Sequence, residues 1–280
     1  MPVLSRPVHP GPYLALLCLT AVSACSRVEP RPAAASARGP ADSLIPGGAF
    51  GTAVRRGRAI LVATRDSLPE HVGNKLRCTS CHLEEGRREN GSWVGVFARY
   101  PQYRARSGVV ETIEYRVNDC FRRSMNGTAI DPAGPDMRDI VAYFAFLSQG
   151  VPIGPPAVSQ AARLQKWAAF TADTAAGARV FAESCAKCHG AAGEGSGVAP
   201  PVWGAASFNI GAGMSRVRTA AEFISRNMPF DAPGTLSDSQ AFNVAAYVNA
   251  HARPDFRGKE NDWPNGDPPS DVAYPTRTHH

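Results

Sequence analysis

No apolar run in this chain reaches the ~18–20 residues of a membrane-spanning helix, which excludes a polytopic membrane protein. Charged residues are few, 19% of 280. The formal charge of +6 is not gathered into Lys/Arg blocks with interleaved aromatics, so nucleic acid is excluded as a partner. Acidic residues are absent from positions 1–24, and large apolar residues are nearly absent from 26–48. Neither stretch has the makings of a core. What the chain does have is hydrophobic residues at 44%, enough for one large domain or two of ordinary size. It also has 26 glycines and 24 prolines, well above the ~12% of average usage, which predicts modest helices separated by much loop.

Residues 1–24 place Arg6 ahead of an apolar stretch from Tyr13 to Ala24, the layout of a secretory signal peptide. The stretch ends Val22-Ser23-Ala24-Cys25, which resembles the lipobox of bacterial lipoproteins and marks Cys25 for lipidation. The expectation is a periplasmic protein anchored to a membrane through that lipid. Residues 25–48 then read as a flexible tether, and 263–280 as an irregular tail whose His279-His280 has no metal spacing.

The cysteines carry the chemistry. Cys18 goes with the signal, and Cys25 with the lipid. Four others form Cys78-Thr79-Ser80-Cys81-His82 and Cys185-Ala186-Lys187-Cys188-His189, two copies of C-x-x-C-H. That spacing attaches c-type haem: two thiols add to the vinyl groups on one porphyrin edge, and the next residue offers an imidazole to iron. A redox dithiol needs no following His, and zinc needs a second ligand pair nearby. Two covalent haems are expected, with His82 and His189 as proximal ligands. Cys120 is left over, as a disulfide partner, a reactive thiol or an iron ligand.

Aligning the halves on their haem motifs reveals a repeat. His82 precedes Cys120 by 38 residues, and His189 precedes Met228 by 39. Tyr143 and Tyr247 fall in corresponding helices, predicted from Pro135 to Leu147 and from the capping pattern Ser237-Asp238-Ser239-Gln240 onward. Gly57 and Gly177 lie in helices ahead of each motif, where they let another helix approach closely. The fold class expected is mainly α, two tandem class I cytochrome c-like domains at 49–150 and 171–262, joined by a Pro-rich connector at 151–170. The distal iron ligand then falls at Met228, with Met214 as rival. In the first half it falls at Cys120, with Met125 and His71 as rivals.

Several segments resemble the dihaem thiosulfate dehydrogenase family: 72–76, the first haem motif, Tyr100-Pro101-Gln102-Tyr103, 116–121, 124–127, Ser207-Phe208-Asn209, 211–214 and 227–229. The resemblance implies that two thiosulfate dianions are joined to tetrathionate and that two electrons leave through the haems to an external acceptor such as a small cytochrome c. It further implies that His82 and Cys120 hold a catalytic haem 1, and His189 and Met228 an exit haem 2. A lysine that can precede the distal methionine in that family is here Asn227, which puts any ligand switch in doubt. Between Arg99 and Ser124 six arginines face three acids, a surplus suited to an anion. Arg106 and Arg116 are the expected substrate contacts, with Ser124 beside them. Competing readings are the cysteine-ligated dihaem subunit of a thiosulfate-oxidising multienzyme system, and a dihaem electron carrier with no substrate.

Overall fold

The computed structural model describes residues 38–155 and 159–276, with Pro2 alone ahead of them. The rest of the signal segment with Cys18 and Cys25, residues 26–37, residues 156–158 and residues 277–280 with the His pair lie outside the described residues.

In the first half, α1 (Gly48–Val62) leads to the first haem motif. A two-stranded antiparallel hairpin follows, β1 (Gln102–Arg104) and β2 (Val109–Glu111), with Tyr103 opposite Val110. Next come α2 (Ile113–Arg123) and α3 (Pro135–Leu147). The second half repeats the plan with α4 (Thr174–Val180), α5 (Val217–Asn227) and α6 (Asp238–Ala250).

Local chemistry sets the helix starts. Thr112 Oγ1 accepts from the Tyr115 amide at 3.3 Å to open α2, and Pro135 opens α3 where its missing N–H costs nothing. At α6 the Ser237 hydroxyl accepts from the Gln240 amide, and the Gln240 side chain accepts from the Ser237 amide. In each half the leading helix crosses the closing one at a glycine. A Cβ on Gly57 would stand 1.9 Å from the Asp139 carbonyl oxygen, and one on Gly177 would stand 2.1 Å from that of Asn243. The crossings are backbone against backbone.

Val54 and Leu61 of α1 pack on Met137, Ile140, Phe144 and Leu147 of α3, all nearly inaccessible. Each such side chain contributes roughly 1.5–3 kcal/mol of burial. The second half builds its core on Phe242 and Ala245 of α6, Ala220 and Ala221 of α5, and Trp167.

The structure departs from the expected boundaries in three places. Trp167, in the expected connector, is fully buried and donates to Glu222 Oε2 at 2.9 Å, so the connector's end belongs to the second core. Residues 38–48 of the expected tether are held on the first half: Asp42 accepts from Arg87, and Ile45 packs on the core. The tail is irregular but docked, with Trp263 and Tyr274 buried and the Trp263 amide donating to the Arg106 carbonyl at 2.7 Å.

The halves are stitched by residues 207–214. Phe208 and Ala212 sit in the core of the first half. Asn74 Nδ2 donates to the carbonyls of Ser124 and Ser207, and Asn209 Nδ2 to that of Arg122. The sequence signatures at 207–209 and 211–214 thus mark an interface.

Candidate functional site

The two haem motifs share three contacts: the His Nδ1 bond to a carbonyl, a glycine four residues on that lies against a tryptophan, and a tyrosine edge-on to that indole. In the first half, the Cys78 amide donates to the buried Thr64 hydroxyl at 3.1 Å. His82 Nδ1 donates to the Gly91 carbonyl at 2.5 Å, which leaves Nε2 as the nitrogen with a lone pair to offer. Trp93 stacks on His82 with centroids 4.8 Å apart and receives the edge of Tyr143. Four residues after His82, Gly86 gives Trp93 its place, since a Cβ there would meet the indole at 2.0 Å. In the second half, α4 runs through a π turn at Phe181–Cys185 into Ala186–His189. His189 Nδ1 donates to the Pro200 carbonyl at 2.8 Å. Gly193, again four residues on, lies against Trp203 at 2.3 Å from its would-be Cβ, and Tyr247 is edge-on to that indole. The tyrosines aligned from sequence therefore share a role, standing edge-on to a tryptophan.

Sequence gave no warning of the Gly–Trp pairs. The signal that could have found them is the shared spacing of four residues from His to Gly.

The motif thiols are unlike those of a redox dithiol. All four are free, and burial pushes Cys78 and Cys81 up to about 12 and Cys185 up to about 11. A thiol–disulfide centre needs the opposite shift. Burial also pulls His82 down to about 4, keeping its imidazole neutral, the form that binds iron. Sulfur, neutral imidazole and a braced ring fit haem c.

Cys120 lies on α2, half-buried and free. Arg116, one turn earlier, donates from Nη1 to Cys120 Sγ at 3.3 Å and to Asp119 Oδ2 at 3.5 Å. Its pKa is raised, chiefly through its interaction with the neighbouring Cys120. Ser124 closes the helix, its amide donating to the Cys120 carbonyl at 2.8 Å. Tyr100 borders the same ground, its pKa raised by burial and tempered by Arg116 and Arg104.

The other arginines have other partners. Arg106 donates to the Gly211 carbonyl at 2.8 Å and lies over Trp263, and burial pulls it down to about 10. Arg123 forms a bidentate pair with Asp262, at 2.7 and 2.8 Å, tying α2 to the chain before the tail. Of the expected substrate contacts, Arg116 and Ser124 flank Cys120, and the contacts of Arg106 are with the second half. Of the rival ligands, Met125 is a core residue and His71 meets Thr128 at 3.2 Å.

A cavity of about 840 Å³ opens beside the second motif, in the ~300–1,000 Å³ range of ligand sites. Cys185, Cys188, His189 and Met228 line it, and so does Cys81 of the first motif, so both attachment loops face one space. Met214 also touches it but is packed against both core clusters, whereas Met228 joins neither. Asn227 is completely buried, with both amide atoms unpartnered among the described residues.

Two families match the two halves: the SoxA/TsdA cytochrome c domain over residues 70–153, and cytochrome c oxidase, cbb3-type, subunit III over 172–248. Thiosulfate dehydrogenase of Psychrobacter arcticus is 44% identical over 241 residues, 83% of this chain and 73% of that protein. Thiosulfate dehydrogenase of Allochromatium vinosum is 40% identical over 91% of this chain and 98% of that protein. The as-isolated structure of thiosulfate dehydrogenase (TsdBA) from Marichromatium purpuratum is similar with a TM-score of 0.68 and 36% identity. It covers 77% of this chain, which spans about half (49%) of that longer one.

Proposed function

The chain belongs to the thiosulfate dehydrogenase family, with two cytochrome c domains that each carry a covalent haem c, and on that premise we propose how its own residues join two thiosulfates. The observation that carries the reading is the Arg116–Cys120 contact: a half-buried cation set on a lone thiol that belongs to neither attachment motif.

Arg116 binds and orients a thiosulfate dianion through the guanidinium nitrogens not engaged with sulfur, and Ser124 borders the same end of α2. Arg106, engaged with Gly211, adds positive potential without a free fork. Cys120 supplies the sulfur at which the first bond forms. The cysteine thiolate and one thiosulfate lose two electrons and form Cys–S–S–SO₃⁻. A second thiosulfate attacks the outer sulfane sulfur, releases tetrathionate and returns Cys120 as thiolate. Two thiosulfates thus yield one tetrathionate and two electrons, with no net proton.

The haems, when bound, supply the one-electron acceptors this oxidation needs. His82 and Cys120 would hold the first iron, His189 and Met228 the second. Thiolate ligation favours the ferric state and Met/His ligation raises the potential, so with these ligands the second site would be the better electron acceptor. Val198 and Phe230, exposed on the wall of the second cavity, mark where electrons leave to a small cytochrome c or a similar acceptor. The protein works outside the cytoplasm, tethered through Cys25, since in bacteria c-type haem is attached there.

The test is Cys120→Met, which keeps a sixth ligand and removes the nucleophilic sulfur. The expected protein has two low-spin haems and little thiosulfate oxidation. A rate near wild type would show that the thiolate is not needed.

A further inference from the structure

Arg253, three residues beyond α6, carries a charge for which the described residues provide no counter-ion. Its guanidinium lies over the Phe208 ring, 4.0 Å from the centroid, and Nη2 donates to the Val248 carbonyl at 3.0 Å. Nε and Nη1 are shut off from solvent and meet no acceptor among the described residues. Burial pulls the group down to about 10, with no carboxylate opposing it. Arg123 shows the usual solution, a bidentate carboxylate. A shielded guanidinium edge without one is costly, and water relieves its hydrogen bonds but not its charge.

The residues that hold Arg253 show where its anion belongs. Phe208 and Val248 both line the cavity that contains Cys185, Cys188 and His189. The group destined for that cavity brings two carboxylates of its own. We propose that Arg253 is the anchor of a haem-2 propionate, engaged through its Nε and Nη1 edge. Arg253 then acts as a positioning residue, seating the haem and offsetting a negative charge beside its iron. This rests on the second motif carrying haem, and not on what the enzyme oxidises.

The test uses the matured holoprotein, with haem counted by pyridine haemochrome and each haem titrated separately for its midpoint potential. In Arg253→Gln and Arg253→Met the chain should hold two haems. Haem 2 should move to lower potential, because an unpaired propionate favours ferric iron, and haem 1 should stay in place. Thermal stability of the Met variant should fall. Arg253→Lys should keep the haem-2 potential near wild type. Unchanged potentials together with a more stable Met variant would overturn the proposal, since that is how an uncompensated buried charge behaves when removed. A shift confined to haem 1 would overturn it as well. Should neither Gln nor Met mature with two haems, Arg253→Lys decides: restored loading supports a charge partner, and failure equal to Met shows a packing role.

Discussion

Arg116 and Cys120 stand one helical turn apart, and the 3.3 Å between Nη1 and Sγ makes their roles separable by mutation. A hydrogen bond to a charged group is worth ~1.5–3 kcal/mol, so Arg116→Gln should lower kcat/KM for thiosulfate by about 10- to 150-fold while both haems remain. Arg116→Lys should recover little of it, because an ammonium cannot serve sulfur and dianion as a fork does. Steady-state kinetics on the two variants checks this, and a full rescue by Lys would reduce Arg116 to a point charge. Met228→Gly should change the spectrum and raise the accessibility of one haem only. The same change from Met214→Gly and none from Met228→Gly would reverse the distal assignment. At this scale the sequence was most legible where covalent chemistry demands a spacing, at the two C-x-x-C-H motifs. It was least legible among the arginines, because a guanidinium's partner depends on chain far away: Gly211 for Arg106 and Asp262 for Arg123.

The elements repeat a crossing that leaves no room for a side chain. Gly57→Ala puts a methyl 1.9 Å from the Asp139 carbonyl oxygen, and Gly177→Ala does the same 2.1 Å from that of Asn243. Each substitution should cost more than the ~1–3 kcal/mol typical of overpacking, since rigid backbone rather than a side chain must yield. Thermal melts of the holoprotein check this, and a loss below about 1 kcal/mol at either site would mean that the helices can part. The helices themselves were readable from sequence. Pro135 and the Ser237–Gln240 box announce α3 and α6 through chemistry local to a single turn. The hairpin at Gln102–Glu111 was not, because its two three-residue strands are too short to show alternation. Trp167 was hidden for another reason: with Phe170 it makes too short an apolar pair to show a period, and its burial depends on Phe242 and Glu222 far along the chain.

At the scale of the whole molecule the two halves share residues, which a repeat read from sequence could not reveal. Phe208 and Ala212 come from the second half and fill the first core, and Cys81 borders the cavity of the second motif. In the proposed reading, electrons passing between the two sites would cross this shared interface. Asn74→Ala removes donors to the Ser124 and Ser207 carbonyls at 2.9 and 3.0 Å, leaving buried acceptors unpaired at ~1–3 kcal/mol each. It should slow internal electron transfer while leaving haem content at two, as flash or stopped-flow reduction of each haem would register. An unchanged rate would show that the interface does not depend on this link.

The central claim is that this chain alone turns thiosulfate into tetrathionate. The isolated holoprotein should be assayed with thiosulfate and an artificial one-electron acceptor, with no other protein present and with the products quantified. The account predicts sustained turnover with one tetrathionate formed for every two thiosulfates consumed and two acceptor molecules reduced. No turnover without added partner proteins, or acceptor reduction without tetrathionate, would contradict it.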